Sequence, residues 1–178
     1  MFTDGRSKRV IFVAHCILNQ NAISDGTANF PGAHKSVVQA LLDDDVGVVQ
    51  LPCPEVSCLG LDRGDPAGAS RPVTAENTRI RWAMEQPERS EKLASLVEYT
   101  MTQIREYRKH GFAVLGIVGM NRSPCCGVET TSDQDQEVEG RGVFMAALQK
   151  ALAEEGINIP FLGIKGTPDA PDRVRTLL

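Results

Sequence analysis

The chain has no stretch of ~18 to 20 apolar residues, the length that a membrane-spanning helix needs, so no membrane partner is expected. Its short N-terminal apolar run, "RVIFVAH", is too brief for a signal peptide core, and no small-residue cleavage site follows it. The expected location is therefore cytoplasmic. An excess of basic charge is also missing: the formal net charge is −4, which leaves no electrostatic footprint for DNA. No CxxC pair occurs, so the usual sequence pattern of a structural zinc site is absent. GxGxxG after the first apolar run and the Walker pattern are both lacking, which argues against ordinary dinucleotide and NTP binding. No repeat, heptad or low-complexity tract interrupts the chain.

What is there is ordinary globular composition, 42% hydrophobic and 24% charged over 178 residues, enough for one domain spanning 1–178 with a single core. Four β-rich runs organise it. "RVIFVAH" (Arg9 to His15) is continuous and β-branched, as expected of a strand covered on both faces. "VGVVQLP" (Val46 to Pro52), "FAVLGIVGM" (Phe112 to Met120) and "IPFLGIKG" (Ile159 to Gly166) read the same way. Between them, "HKSVVQALLDD" predicts a helix whose buried face is Val37, Val38, Leu41 and Leu42. The clearest helix opens at Pro87, carries a stripe of Leu93, Leu96, Val97, Thr100, Ile104 and Tyr107, and stops at Gly111. A second strong helix follows Arg141 and stops at Gly156. The segment from Cys53 to Gln86 reads as a long connection with a short helix around Ala75 to Met84, and Asn121 to Gly140 as a polar loop. Alternating strands and helices predict an α/β fold: three layers, a mostly parallel sheet and a Rossmann-like βαβ core.

Five cysteines in a cytoplasmic chain argue for metal binding, catalysis or burial rather than disulfides. Their positions sharpen this. Cys16 follows the first strand, Cys53 the second, and the Cys125–Cys126 pair the third. In a parallel sheet these strand ends meet at one edge, where open α/β folds bind ligands. A lone cysteine is more often an inert small hydrophobe; equivalent positions after three strands are a stronger signal. Converging thiolates suit an Fe–S cluster, and three of them would leave one iron of a [4Fe–4S] cluster without a protein thiolate. A zinc site drawing on His15 or His34 is the other reading of the same residues. Adjacent residues rarely point at one centre, so one of Cys125 and Cys126 is expected to ligate. Cys58 is a fourth ligand or a packing residue.

Two neighbours fit a reaction site. Glu55 in "PCPE" places a carboxylate at the same edge, where burial would suit it to proton exchange near neutral pH. Its alternatives are a solvated loop glutamate and a helix-start acid. Ser123 in "NRSPCCG" can hydrogen-bond a ligand, or simply make an ordinary Ser-Pro turn. Gly127 permits close approach, and backbone N–H groups there could donate to cluster sulfides.

At these residues the chain resembles a known family. "HCILNQN", "QLPCPE", Gly60-Leu61-x-Arg63 and "GMNRSPCCGV", with "GRGVFM" beyond them, resemble the 2-thiouracil desulfidase family, closest to a desulfidase-related branch. The resemblance implies a [4Fe–4S] cluster on Cys16, Cys53 and Cys126, with Glu55 and Ser123 as the catalytic pair and Cys125 as a bystander. It implies an iron–sulfur-dependent enzyme that removes sulfur from a small thiocarbonyl substrate without net redox. One departure stands out. After the first cysteine the family continues with a Gly and a basic-aromatic-Asp-Gly pattern, whereas here "ILNQNAISDGTA" puts Asn19 and Asn21 in the expected substrate-facing loop. A zinc-dependent hydrolase and a non-catalytic Fe–S or sulfur-carrier protein, with Cys58 as fourth ligand, are the alternatives. No signal for an oligomeric state is present.

Overall fold

A computed structural model describes residues 2–178 of the protein. Its strands are β1 (Arg9–Val13), β2 (Gly47–Gln50), β3 (Ala113–Met120), β4 (Thr130–Asp133), β5 (Gln136–Glu139) and β6 (Phe161–Ile164). The helices are α1 (His15–Leu18), α2 (Lys35–Asp43), α3 (Pro54–Leu59), α4 (Val73–Met84), α5 (Pro87–Lys109), α6 (Val143–Glu154) and α7 (Ala170–Arg175). The four predicted strands form one parallel sheet in the order β2-β1-β3-β6. Right-handed crossovers dictate the layers. The connection from β1 to β2 runs one way across the sheet, and those from β2 to β3 and from β3 to β6 run the other. Helices α5 and α6 accordingly pack together on one face and α2 with α7 on the other. This is the predicted three-layer α/β arrangement.

The central strands carry the core. Ile11, Phe12 and Val13 of β1 and Ile117 and Val118 of β3 are fully buried. Strand β2 is less buried than its apolar sequence suggests: Gly47 and Gln50 are exposed and Val48 and Val49 half-buried, because β2 lies at the edge of the sheet. In α2 the buried face is Val37, Ala40 and Leu41, while Leu42 is 55% exposed. Leu42 therefore corrects the predicted face, since the i, i+3, i+4 stripe passes through Ala40. Helix α5 ends as its Gly111 predicts. Gly111, at φ +77°, donates to the Arg108 carbonyl at 3.0 Å, and Phe112 N donates to the Tyr107 carbonyl at 2.9 Å. These two bonds make a Schellman motif, which needs a left-handed residue at this position.

Two parts of the chain read as irregular are regular. Helix α3 begins immediately after Cys53, and β4 and β5 pair as an antiparallel hairpin inside the predicted polar loop. The hairpin turn, Gln134 and Asp135, has positive φ at both residues, the geometry of a two-residue primed turn. Its strands, "TTSD" and "QEVE", lack the apolar alternation that would mark them. The hairpin packs on α4, where Asp135 N donates to Thr78 Oγ1 at 2.9 Å.

Candidate metal centre and active site

The sheet's carboxyl edge opens where the connections leave in opposite directions, between β1 and β3. Cys16 enters there on α1, which begins two residues after β1, and Ala14 N ties this corner to the Val118 carbonyl at 2.8 Å. Cys53 is the N-cap of α3, and the Val56 N–H points at its Sγ at 3.5 Å. A thiolate is well matched to that position, since the helix start leaves donors unpaired. Cys126 sits in the loop after β3. That loop is built around Ser123, whose Oγ accepts from Cys126 N at 2.9 Å and Cys125 N at 3.3 Å.

Cys16, Cys53, Cys126, Glu55 and Ser123 line one cavity of about 240 Å³. Their thiols share an electrostatic environment. Burial pushes Cys16 up to about 12, with the neighbouring Cys53 and Glu55 adding to it. Burial followed by Glu55 pushes Cys53 up to about 11. Cys126 is raised well above the ordinary thiol range by burial, then by Cys16, Cys53 and Glu55. Without a cation these groups stay protonated, and metal binding would have to release the protons. Soft sulfur donors that oppose one another's ionisation suit a cationic iron centre. Among the described residues no three His, Cys, Asp or Glu side chains close tightly enough for a single metal ion. An Fe–S cluster joins its thiolates through several irons and so spans a wider set than one zinc ion does.

The remaining candidates divide between the cavity wall and its surroundings. Cys125 is fully buried and does not line the cavity; its thiol is raised by burial and by Glu55. Cys58 is half-buried on α3, packs against the core and feels Lys92 and Arg89 of α5. His15 lines the cavity, with its basicity lowered chiefly by burial. His34 is 1% exposed and lies outside the lining, stacked beside Phe30. Asn19 and Asn21 do not face the cavity. Asn19 Oδ1 accepts from Asn21 N and Nδ2, both at 3.1 Å, and caps a short 3₁₀ turn. The same loop reaches the cavity further on, through Ala22, Ile23, Ser24, Thr27 and Asn29. Gly127 is close-packed as expected, but against protein: a Cβ there would collide with the Thr130 and Ser123 carbonyls. Its N–H donates to Ser123 O at 3.1 Å and is not free for a ligand.

Glu55 is not a solvated loop acid. It is 7% exposed in the first turn of α3. Its Oε2 accepts from Arg63 Nε at 2.9 Å and Ser24 Oγ at 3.2 Å, and Oε1 meets Ser123 Oγ at 3.5 Å. Arg63 is 3% exposed and holds a left-handed backbone, φ +56°. Its guanidinium also donates to the carbonyls of Gly60 at 3.2 Å, Leu61 at 2.9 Å and Ala22 at 2.6 Å. One side chain thus fixes the carboxylate and ties the loop before it to the loop beyond α1. Arg63 appears in the sequence only within a Gly-Leu-x-Arg string, and nothing in the spacing assigns it to Glu55. Ser24 and Asn77, which also line the cavity, carry no sequence signal at all.

No family model matches the chain. It is 29% identical over 175 residues to the uncharacterized protein MJ0003 of Methanocaldococcus jannaschii, covering 97% of this chain and 96% of that one. Among solved structures it is similar to the [4Fe-4S]-dependent thiouracil desulfidase TudS, with a TM-score of 0.45 and 16% identity, over 95% of this chain and 97% of that one.

Proposed function

We propose that the protein is a [4Fe–4S]-dependent desulfidase that hydrolyses a small thiocarbonyl compound. Cys16, Cys53 and Cys126 would hold the cluster, and Glu55 and Ser123 would serve the reaction. The observation that carries this reading is the shared cavity: three thiols from three strand ends face one buried carboxylate–hydroxyl pair. The position of Cys58 against α5 favours three protein ligands over the four of an electron carrier. When bound, the cluster supplies a soft Lewis-acidic iron suited to sulfur.

The chain's own groups supply the rest. Arg63 and Ser24 hold Glu55 Oε2, leaving Oε1 toward Ser123 and the cavity. Glu55 Oε1 takes one proton from water as the water oxygen bonds to the thiocarbonyl carbon and returns it to the sulfur as the C–S bond breaks; it then takes the remaining hydroxyl proton as the C=O bond forms and passes it to the departing hydrosulfide. Ser123 Oγ keeps the carboxylate and the Cys126 backbone in register. Water and C=S become C=O and hydrogen sulfide, with no net oxidation. Ile23, Met120 and Pro124 give the lining an apolar part for the body of the substrate.

Anaerobic reconstitution tests this. The loaded wild type should bind about four irons and four sulfides per chain and release sulfide from 2-thiouracil or a related thiobase. Cys126→Ser should lose the iron and Cys125→Ser keep it. Glu55→Gln should keep the iron and lose sulfide release by roughly a hundredfold or more. One zinc per chain with no labile sulfide, or a fully active Glu55→Gln, would overturn the reading.

A further inference from the structure

Asn77, on α4, lines the cavity yet is only 6% exposed. Its Nδ2 donates to the Arg122 carbonyl at 3.3 Å and to Ser132 Oγ at 3.2 Å. The Ser132 hydroxyl spends its single proton on the same Arg122 carbonyl, at 2.7 Å. Both partners can therefore only accept from Asn77, so chemistry fixes which end of the amide is which. The consequence falls on Oδ1. Among the described residues nothing donates to it. It is also not one of the sealed polar atoms without partners, which are His34 Nε2, Arg89 Nε and Arg141 Nη1. Oδ1 is therefore neither sealed nor satisfied, and the opening that the Asn77 side chain lines is this cavity.

Two other neutral polar groups of the lining are already committed, and Asn29, whose Nδ2 donates to the Thr27 carbonyl at 3.4 Å, is exposed rather than buried. Ser24 Oγ donates to Glu55, and Asn121 Oδ1 accepts from the backbone N–H groups of Val128, Glu129 and Thr130. A bound thiocarbonyl compound has to offer Asn77 a donor, or leave a buried acceptor unpaired at a cost. The donor native to such compounds is an N–H beside the C=S carbon.

We propose that Asn77 is a specificity-determining residue whose Oδ1 accepts an N–H of the substrate, restricting the site to thiolactams and cyclic thioureas with a free N–H. This rests on the desulfidase reading above. The competing role is a strut: Asn77 would merely tie α4 to the loop that carries Ser123 and Cys126.

The test is a ratio. Sulfide release from 2-thiouracil and from its N,N′-dimethyl derivative is measured on loaded wild type and on Asn77→Ala. Calorimetry measures binding of uracil and N,N′-dimethyluracil to the same loaded proteins. The wild type should prefer the N–H compound by about tenfold or more in both assays, as a site built to receive a donor does. In Asn77→Ala the preference should fall to within about threefold, because only the N–H compound loses its partner. An unchanged ratio with both compounds equally weakened would establish the strut and overturn the proposal, as would equal wild-type handling of the two compounds. Should Asn77→Ala fail to fold, Ser132→Ala removes one of the two groups that hold the Nδ2 end, leaves Oδ1 in place and should keep the preference; losing it would count against Asn77. If the loaded wild type releases no sulfide, the desulfidase reading fails separately, and the binding ratio still decides the role of Asn77. Uracil and its derivative both failing to bind would overturn the proposal.

Discussion

Glu55 and Arg105 each lie in short ion pairs, but in opposite surroundings. Arg63 and Glu55 meet at 2.9 Å with side chains 3% and 9% exposed. Arg105 meets Glu98 at 2.6 Å with side chains 38% and 61% exposed, and also binds Glu155. The shorter pair is the less consequential one. Water and salt already solvate and screen the α5–α6 surface, so the charges gain little from each other. At the cavity, the carboxylate has lost its water and depends on Arg63. Between these extremes lies Glu76: its side chain is as buried as that of Glu55, at 8%, but its partners Arg79, at 2.6 Å, and Arg71, at 2.9 Å, are 28% and 40% exposed. Arg79 in turn donates to the Arg63 carbonyl at 3.0 Å, so this intermediate cluster braces the loop that delivers Arg63.

The comparison predicts a graded series. Arg63→Met should have the largest effect, about 3–5 kcal/mol lost in denaturant unfolding, because it strands Glu55. Adding Glu55→Gln should recover part of that loss; a double variant as unstable as Arg63→Met would mean that Arg63 acts through its backbone ties alone. Glu76→Gln should cost about 2 kcal/mol at pH 7. Hydrogen bonding to Arg79 is the main force holding the Glu76 carboxyl below its ordinary range. Its contribution is therefore present above that range and lost as pH falls through the depressed folded value. The gap between wild type and Glu76→Gln should narrow from pH 7 towards pH 3, and a constant gap would break the assignment. Arg105→Ala should be smallest, with no resolvable change in unfolding midpoint at high salt despite its two carboxylate partners.

Legibility in the sequence divides along the same line. The central strands were readable because burial on both faces leaves continuous β-branched runs, and α5 because its stripe and glycine stop are local patterns. Helix α3 was hinted at only by Glu55 as a helix-start acid: its cap is a sulfur rather than an ordinary capping oxygen, and it is six residues long. The β4–β5 hairpin has polar strands that earn their pairing by packing on α4. At the site, Cys16, Cys53 and the Cys125–Cys126 pair could be grouped because each follows a strand and parallel strands share an edge; Cys126 was singled out only by the family resemblance. Arg63 could not be assigned to Glu55, since its reach depends on a left-handed backbone and on carbonyls from Ala22 to Leu61. The loop containing Asn19 and Asn21 misled because its first turn faces away and its later residues face in.

By itself, then, the order of residues determined the layered α/β plan and the edge at which the thiols gather, because periodicity and strand ends are properties of short segments. Only the tertiary structure decided which cysteine of the pair faces the cavity, that Glu55 is buried against Arg63, and that Asn77 keeps an acceptor for the cavity. Those outcomes depend on which groups lose water and which partners reach them, and both are set by contacts between segments far apart in the chain.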